Sequence, residues 1–405
     1  MTNDIVNKLN ESLENYNMTF LVGDSFLNLE RVLSSLSKGD KITVLFSKKT
    51  AEKFSFKIDK ISKTLKLINK NIILNNIADE ANFIPTETLI EKIISLSTDC
   101  KTIIVFDTFL FNFASYLTQK INASIIFYIS FCGYDEIIST HTLIKKSDGI
   151  NYEKLYLYNK RYYIIDENFE NNVNMPAVYS SIVNKLTDFT DYRLGALVKK
   201  YDIQKDAYLS LKNAVITAFN IENKENKPLT LFECKIMAEI SNIKTNGNLS
   251  SFSSSKIAYL LSKIVKSCES LENPSLLHKI LSLNLLCFSQ KYENIDVFPD
   301  YIERTETLAK ILNVDNFYLL QNMKKQCEIY KKYEKNINKF KKQLKKEIFE
   351  QEKLVSVIFE TYLSLGGKTI DNDKNLIFSL KCAGDFYDTF NTITLIRNDG
   401  ILELL

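Results

Sequence analysis

TETLIEKIISLSTDCKTIIVF, residues 86–106, holds one unit of the fold in a single line. TETLIEKIISLS (86–97) is amphipathic, with apolar residues at helical intervals, and KTIIVF (101–106) is a short β-branched and aromatic run. A strand that reads as a continuous apolar run is buried on both faces, as in a sheet covered by helices on each side. Outward from this unit, similar runs recur as MTFLVG (18–23), KITVLF (41–46), NIILN (71–75) and ASIIFY (123–128). FLNLERVLSSL (26–36) supplies another amphipathic stretch between them. Strands alternating with helices imply a parallel sheet with right-handed crossovers. KLYLY (154–158) and RYYIID (161–166) are separated only by Asn159-Lys160, which predicts a hairpin at the sheet edge.

The pattern changes after Asp166. NFENNVNMP (168–176) is polar and ends in Pro176, as a linker would. Beyond it the apolar residues keep a helical period through 178–201, 205–221, 230–243, 255–271, 276–292 and 305–365. The sequence therefore predicts an α/β nucleotide-binding-like domain with a mostly parallel Rossmann-like sheet over 1–170. An all-helical domain follows over 171–405.

Composition narrows the function classes. The 405 residues include only 10 glycines, two histidines and no tryptophan. Average usage would supply about 28 glycines. Glycine lets backbone approach a phosphate closely, and histidine is the commonest metal ligand and general acid–base. The chain thus has little material for a nucleotide-cradling loop or a multi-histidine metal site. A net charge of +3 makes no whole-molecule case for nucleic acid or membrane binding. No apolar run is long enough to span a bilayer, and the polar N-terminus lacks a signal-peptide core. Cysteines at 100, 132, 234, 268, 287, 327 and 382 are scattered and never form a CxxC pair. Reduced thiols and a cytoplasmic location are expected from that usage.

One segment departs from this even balance. Residues 324–346 contain ten lysines, from Lys324 to Lys346, against Glu328 and Glu334. Such a run is either the solvated face of a long helix or a surface for an anionic ligand. Few aromatics interleave the lysines, so a base-stacking platform is not expected.

Several local strings together resemble the sn-glycerol-1-phosphate dehydrogenase family. That family belongs with iron-containing alcohol dehydrogenases, glycerol dehydrogenases and dehydroquinate synthases. SSIVNKLTDFTDYRL (180–194) is similar to the family stretch GxGDxxAKxxALxDWxL, with Lys185, Asp191, Arg193 and Leu194 in register. YISFCGYDEIIS (128–139) resembles VPTxxSxDGxxS, keeping Asp135 and Ser139 and replacing the Gly by Glu136. FYDTFNTITLIRNDGILELL (386–405) is similar to the family's closing helix, and MTFLVGDSFLNLERVL (18–33) to its strand–Gly–helix opening.

The resemblance implies a dehydroquinate synthase-like architecture and a nicotinamide-dependent oxidoreductase acting on glycerol phosphate. It also implies a divalent metal held by an Asp and two His. Read onto this chain, the metal Asp position is Ser181. One His helix reads SSSKIAYLL (253–261), with Ile257 and Leu261 at the histidine positions, and the other retains His278 but follows it with Lys279. One ligand of three is too few for a catalytic metal site. The pyrophosphate loop GxGxxxD falls on VFDTFLFNFASY (105–116) and has no glycine. Phe106, Thr108 and Phe109 are expected to put side chains where phosphates would lie, and Asp107 to add a repelling charge.

Asp135, Lys185, Asp191 and His278 are the family-equivalent cleft positions. Each also fits a structural role: Asp135 a turn or cap, His278 a core or interface residue, Lys185 and Asp191 ion pairs. Asp166 and Glu167 are expected to cap the junction between domains. The leading reading is a glycerol-1-phosphate dehydrogenase-like protein with degenerate sites, no cofactor expected, kept as a binding or assembly module. The alternatives are an active oxidoreductase using NAD(P), with zinc or without a metal, and an anion-surface adaptor using Lys324–Lys346. A homo-oligomer or a partner protein would suit the module.

Overall fold

The computed structural model describes residues 3–74, 87–133, 136–145, 152–166, 172–199, 204–245, 260, 301–368, 375, 378–379 and 382. The chain divides into two compact units, Met1–Asn174 and Met175–Leu405. Among the described residues no helix is long and apolar enough to cross a membrane.

The first unit opens with α1 (Asn3–Leu13), β1 (Met18–Gly23), α2 (Ser25–Leu33), β2 (Lys41–Phe46), α3 (Lys48–Leu65) and β3 (Ile68–Ile73). It continues through α4 (Glu87–Leu96), β4 (Cys100–Val105), α5 (Phe111–Ile121), β5 (Ser124–Ile129), β6 (His141–Lys145), β7 (Tyr152–Tyr156) and β8 (Arg161–Asp166). Six strands form one sheet in the order β1-β8-β5-β4-β2-β3. Every neighbouring pair is parallel. The expectation of a parallel sheet from apolar runs is met: in β2, β4 and β5 both sets of alternating side chains are buried almost throughout, whereas the edge strand β3 is largely exposed.

On one face Ile42, Val44, Phe46, Ile104, Ile126 and Ile164 pack under Leu29 and Leu33 of α2 and Ala51, Phe54 and Ile58 of α3. Strand alternation sends Phe127 to the other face. There it meets Phe111 of α5 at 4.5 Å and stacks on Tyr163 at 4.8 Å, which stacks in turn on Phe20 at 4.6 Å. Local signals set the helix ends. Asp24 caps α2 by accepting from the N–H groups of Phe26 and Leu27, and Ser47 caps α3 through Thr50. Lys66 closes α3 in the left-handed region at φ +57°.

The predicted hairpin is not formed. Residues 152–156 pair antiparallel with 141–145 as a separate two-stranded sheet. Arg161–Asp166 instead runs parallel between β1 and β5, inside the main sheet. The two-residue gap at Asn159-Lys160 imitates a hairpin turn. The choice is made by Arg161, which is 2 % exposed. Its guanidinium donates to the carbonyls of Tyr16 at 2.7 Å and of Ser139, and its N–H to that of Asn17 at 2.9 Å. Those contacts tie the start of β8 to the start of β1.

The described residues of the second unit form helices and short connections, with no strand: α6 (Met175–Lys199), α7 (Lys205–Phe219), α8 (Lys227–Lys244), α9 (Tyr301–Leu312) and α10 (Asn316–Ser364). Pro176, read as the end of a linker, lies in the first turn of α6. Proline suits that position because the first helical N–H groups have no intrahelical acceptor. The predicted helix over 276–292 lies outside the described residues, as does 255–271 except for Leu260.

Candidate functional site: the switch-point crevice and a buried charged seam

Strand order locates the place where an open parallel sheet offers a crevice. From β2 the chain moves outward to β3, and from β3 it returns to β4 on the other side of β2. Here α3 leaves β2 over one sheet face and α5 follows β4 over the opposite face. In open α/β sheets ligands bind outside the carboxyl ends of the strands at such a reversal. The residues at that point are Phe46-Ser47 and Val105-Phe106-Asp107.

The crevice is bridged by the chain's own carboxylate. Asp107 accepts from the Ser47 N–H at 2.7 Å, the Ser47 hydroxyl at 3.0 Å and the Thr50 hydroxyl at 2.7 Å. Helix N-termini favour anions because their first N–H groups point outward and the helix dipole is positive there. At α3 that position is filled by Asp107. Phe106 differs from the expectation that it would project toward phosphates. It is buried among Phe46 (5.1 Å), Phe54 (4.9 Å) and Tyr128 (4.7 Å). Alternation along the strand turns it into the core and leaves Asp107 at the rim. Thr108 and Phe109 lie half-buried in a single 3-10 turn, Thr108–Leu110, that leads into α5.

A dinucleotide pyrophosphate at this point needs a tight glycine turn and close backbone approach to the phosphates. Residues 105–111 contain no glycine and no positive φ. An anion at α3 would also displace or oppose Asp107. The residues present do not fit a dinucleotide bound in that manner.

A second polar feature lies within the helical unit. Ser181 on α6 donates to the Val178 carbonyl at 2.8 Å and accepts from Lys235 Nζ of α8 at 3.3 Å. Lys235 also pairs with Glu239 Oε1 one turn along α8 at 3.1 Å, and both side chains are 3 % exposed. On α6, Lys185 pairs with Asp188 at 3.5 Å, and Asp188, Asp191 and Asn184 are buried. Ser181, Asn184, Lys185, Asp188 and Asp191 recur every three or four residues, so they share one helix face. The charged seam within these helices is therefore built by periodicity.

Of the residues singled out from sequence, the structure brings Asp107 to the crevice, and Ser181, Lys185 and Asp191 to the face of α6. Asp135, Ile257, Leu261 and His278 lie outside the described residues. Among the described residues no group of three or more His, Cys, Asp or Glu is placed to hold a metal ion. A divalent cation at Ser181 would face the Lys235 ammonium, so the donor set there does not fit a metal. Asp166 at the end of β8, expected to cap the interdomain junction, accepts from the hydroxyls of Tyr128 on β5 and of Ser25 at the start of α2. Burial, then that hydrogen bond to Asp166, pushes the Tyr128 hydroxyl pKa up.

Sequence reading missed Ser47, Thr50, Asp188, Lys235 and Glu239. One signal was available: Lys235 and Glu239 sit four apart inside the apolar run LFECKIMAEISNI (231–243). A charge pair at that spacing on a helix without a polar face reads as buried.

The fold defines an α/β unit with a six-stranded parallel sheet followed by a helical region, the architecture of iron-containing alcohol dehydrogenases and dehydroquinate synthase-like proteins. An iron-containing alcohol dehydrogenase from Thermococcus thioreducens is similar with a TM-score of 0.57 and 12 % identity, over 94 % of this chain and 97 % of that one. A 1,3-propanediol oxidoreductase is similar with a TM-score of 0.56 and 9 % identity, over 95 % and 97 %. The NADH-dependent butanol dehydrogenase A of Thermotoga maritima is similar with a TM-score of 0.54 and 10 % identity, over 96 % and 97 %. At these identities the likeness is one of fold. No protein-family model matches the sequence, and no curated protein matches it.

Proposed function

We propose that the chain is a diverged relative of glycerol-1-phosphate dehydrogenases that has given up metal and NAD(P) binding and serves as a binding or assembly module. The observation that carries this reading is Lys235 Nζ lying 3.3 Å from Ser181 Oγ. Ser181 stands where the resemblance requires the metal-binding Asp, so a neutral hydroxyl beside a buried ammonium replaces a carboxylate beside a metal. Like charges at that separation in a desolvated site repel strongly. The Asp107 bridge supports the same reading for the cofactor, because it sets a carboxylate where a phosphate would need N–H groups.

Thermal-shift measurements with NADH, NADPH and Zn²⁺, read beside turnover of dihydroxyacetone phosphate, test the proposal. A ligand at about 100 times its Kd stabilises by about 2.7 kcal/mol if it binds only the folded chain. The expected result is no shift with any of the three and no turnover. A cofactor-dependent shift, or NADH oxidation that depends on substrate, overturns the proposal in favour of an active oxidoreductase.

A further inference from the structure

The lysine-rich segment 324–346 lies wholly within α10. Lys324, Lys325, Lys331, Lys332, Lys335, Lys339 and Lys342 are all exposed. At 3.6 residues per turn these seven fall within an arc of about 120° of the helix surface, over a length of about 27 Å. The arc repeats by heptads: Lys324-Lys325 is followed by Lys331-Lys332 and then Lys339. The opposite side is the packed one. Asn322, Met323, Gln326, Ile337 and Phe340 are buried, and Arg193 of α6 lies over the Phe340 ring at 5.5 Å.

Among the described residues nothing neutralises the stripe. None of the seven lysines pairs with a carboxylate among the described residues, and Glu328 is the acid inside the arc. The whole chain is only +3, so the remainder, without the ten lysines and two acids of 324–346, is net negative. The positive charge is therefore concentrated in one segment of one helix.

We propose that this lysine face is a docking surface for an anionic phospholipid bilayer, on which α10 lies flat without inserting. A helix with flexible cations along one side can present them together to a plane of negative charge. Each lysine near such a surface contributes to binding, and clusters of four to eight on an amphipathic helix suit anionic headgroups. Phe317, 64 % exposed, falls on the same arc about 10 Å before Lys324, where an aromatic ring suits the headgroup level. A nucleic-acid duplex is the less suited partner. The stripe has no arginine for groove contacts and no exposed aromatic among its lysines for stacking. The inference does not depend on the state of the crevice or of the Ser181 position.

Co-sedimentation of the full chain with vesicles tests it, comparing phosphatidylcholine alone with phosphatidylcholine containing about 30 % phosphatidylserine. Binding is expected only to the anionic vesicles and is expected to fall steeply with added salt. The quadruple variant Lys324→Glu, Lys331→Glu, Lys335→Glu, Lys342→Glu is expected to bind at least about 100-fold more weakly. The salt titration of the unsubstituted chain decides the question even if that variant folds poorly. No binding to anionic vesicles, salt-insensitive binding, or binding unchanged in a folded quadruple variant overturns the proposal. Tighter binding to duplex RNA or DNA than to the vesicles at equal salt also overturns it, in favour of a nucleic-acid surface.

Discussion

Asp107, two residues beyond β4, accepts from both the main-chain N–H and the hydroxyl of Ser47, at 2.7 and 3.0 Å, and so ties the first turn of α3 to the segment that follows the neighbouring strand. The same carboxylate takes the Thr50 hydroxyl. Asp107→Ala would remove the acceptor of three hydrogen bonds, leaving the two hydroxyls to donate only to each other or to the Ser47 carbonyl. The expected loss is about 1–3 kcal/mol, with Asp107→Asn losing less because its carbonyl still accepts. Denaturant unfolding measures the loss. Native-state hydrogen exchange should place it in the first turn of α3, and uniform loosening of the unit would contradict the local role given to Asp107.

The Lys235–Glu239 pair is nearly inaccessible to solvent. Lys235→Met is expected to cost about 3–5 kcal/mol, because it strips a buried carboxylate of its ammonium. The double variant Lys235→Met, Glu239→Leu should recover most of that loss, since paired apolar replacements remove both desolvation costs. A double-mutant cycle on thermal or denaturant midpoints checks this. If the double variant is as damaged as the sum of the singles, the pair is not coupled as described.

Alkaline pH should weaken the fold through two groups held neutral. Burial, then the charge of Glu233, pushes the Cys234 thiol from 9.0 up to about 12. Tyr128 is raised above its ordinary 10.0 by burial and by its bond to Asp166. A group whose folded pKa is raised contributes stability that is intact below the unfolded value and lost as pH climbs toward the folded one. Unfolding midpoints should therefore be insensitive to these groups up to about pH 9 and fall between about pH 9 and 12. Cys234→Ala should flatten the lower part of that fall, and Tyr128→Phe the upper part. An alkaline limb that keeps its slope in both variants would assign it to other residues.

Thiol labelling should follow burial. Cys100 and Cys234 are buried, and burial raises both thiol pKa values. Cys327, half-buried on α10, is expected to react first among the described cysteines. Alkylation at neutral pH read by peptide mass analysis gives the order. Early modification of Cys234 in the folded chain would contradict its placement in the core of α8.

The core strands were legible because burial on both faces leaves an unmistakable string: Ile42 to Phe46 and Thr102 to Phe106 are buried without a break. The 154–166 region was not, because alternation and a short gap describe a hairpin and a crossover equally well. Its resolution needed Tyr16, Asn17 and Ser139, distant in sequence, to supply carbonyls for Arg161. At the candidate site, the absence of glycine from 105–111 could be read directly, but the inward turn of Phe106 could not. Nor could the pairing of Asp107 with Ser47, sixty residues away.

By itself the sequence determined the alternation of strand and helix, the helical second half and the lysine heptads, because each rests on spacing between near neighbours. The tertiary structure alone decided the strand order, the burial of Lys235 with Glu239, and the filling of the α3 N-terminus by Asp107. Those depend on which distant groups desolvate one another, and a buried charge or an occupied helix end exists only once the packed elements have excluded water.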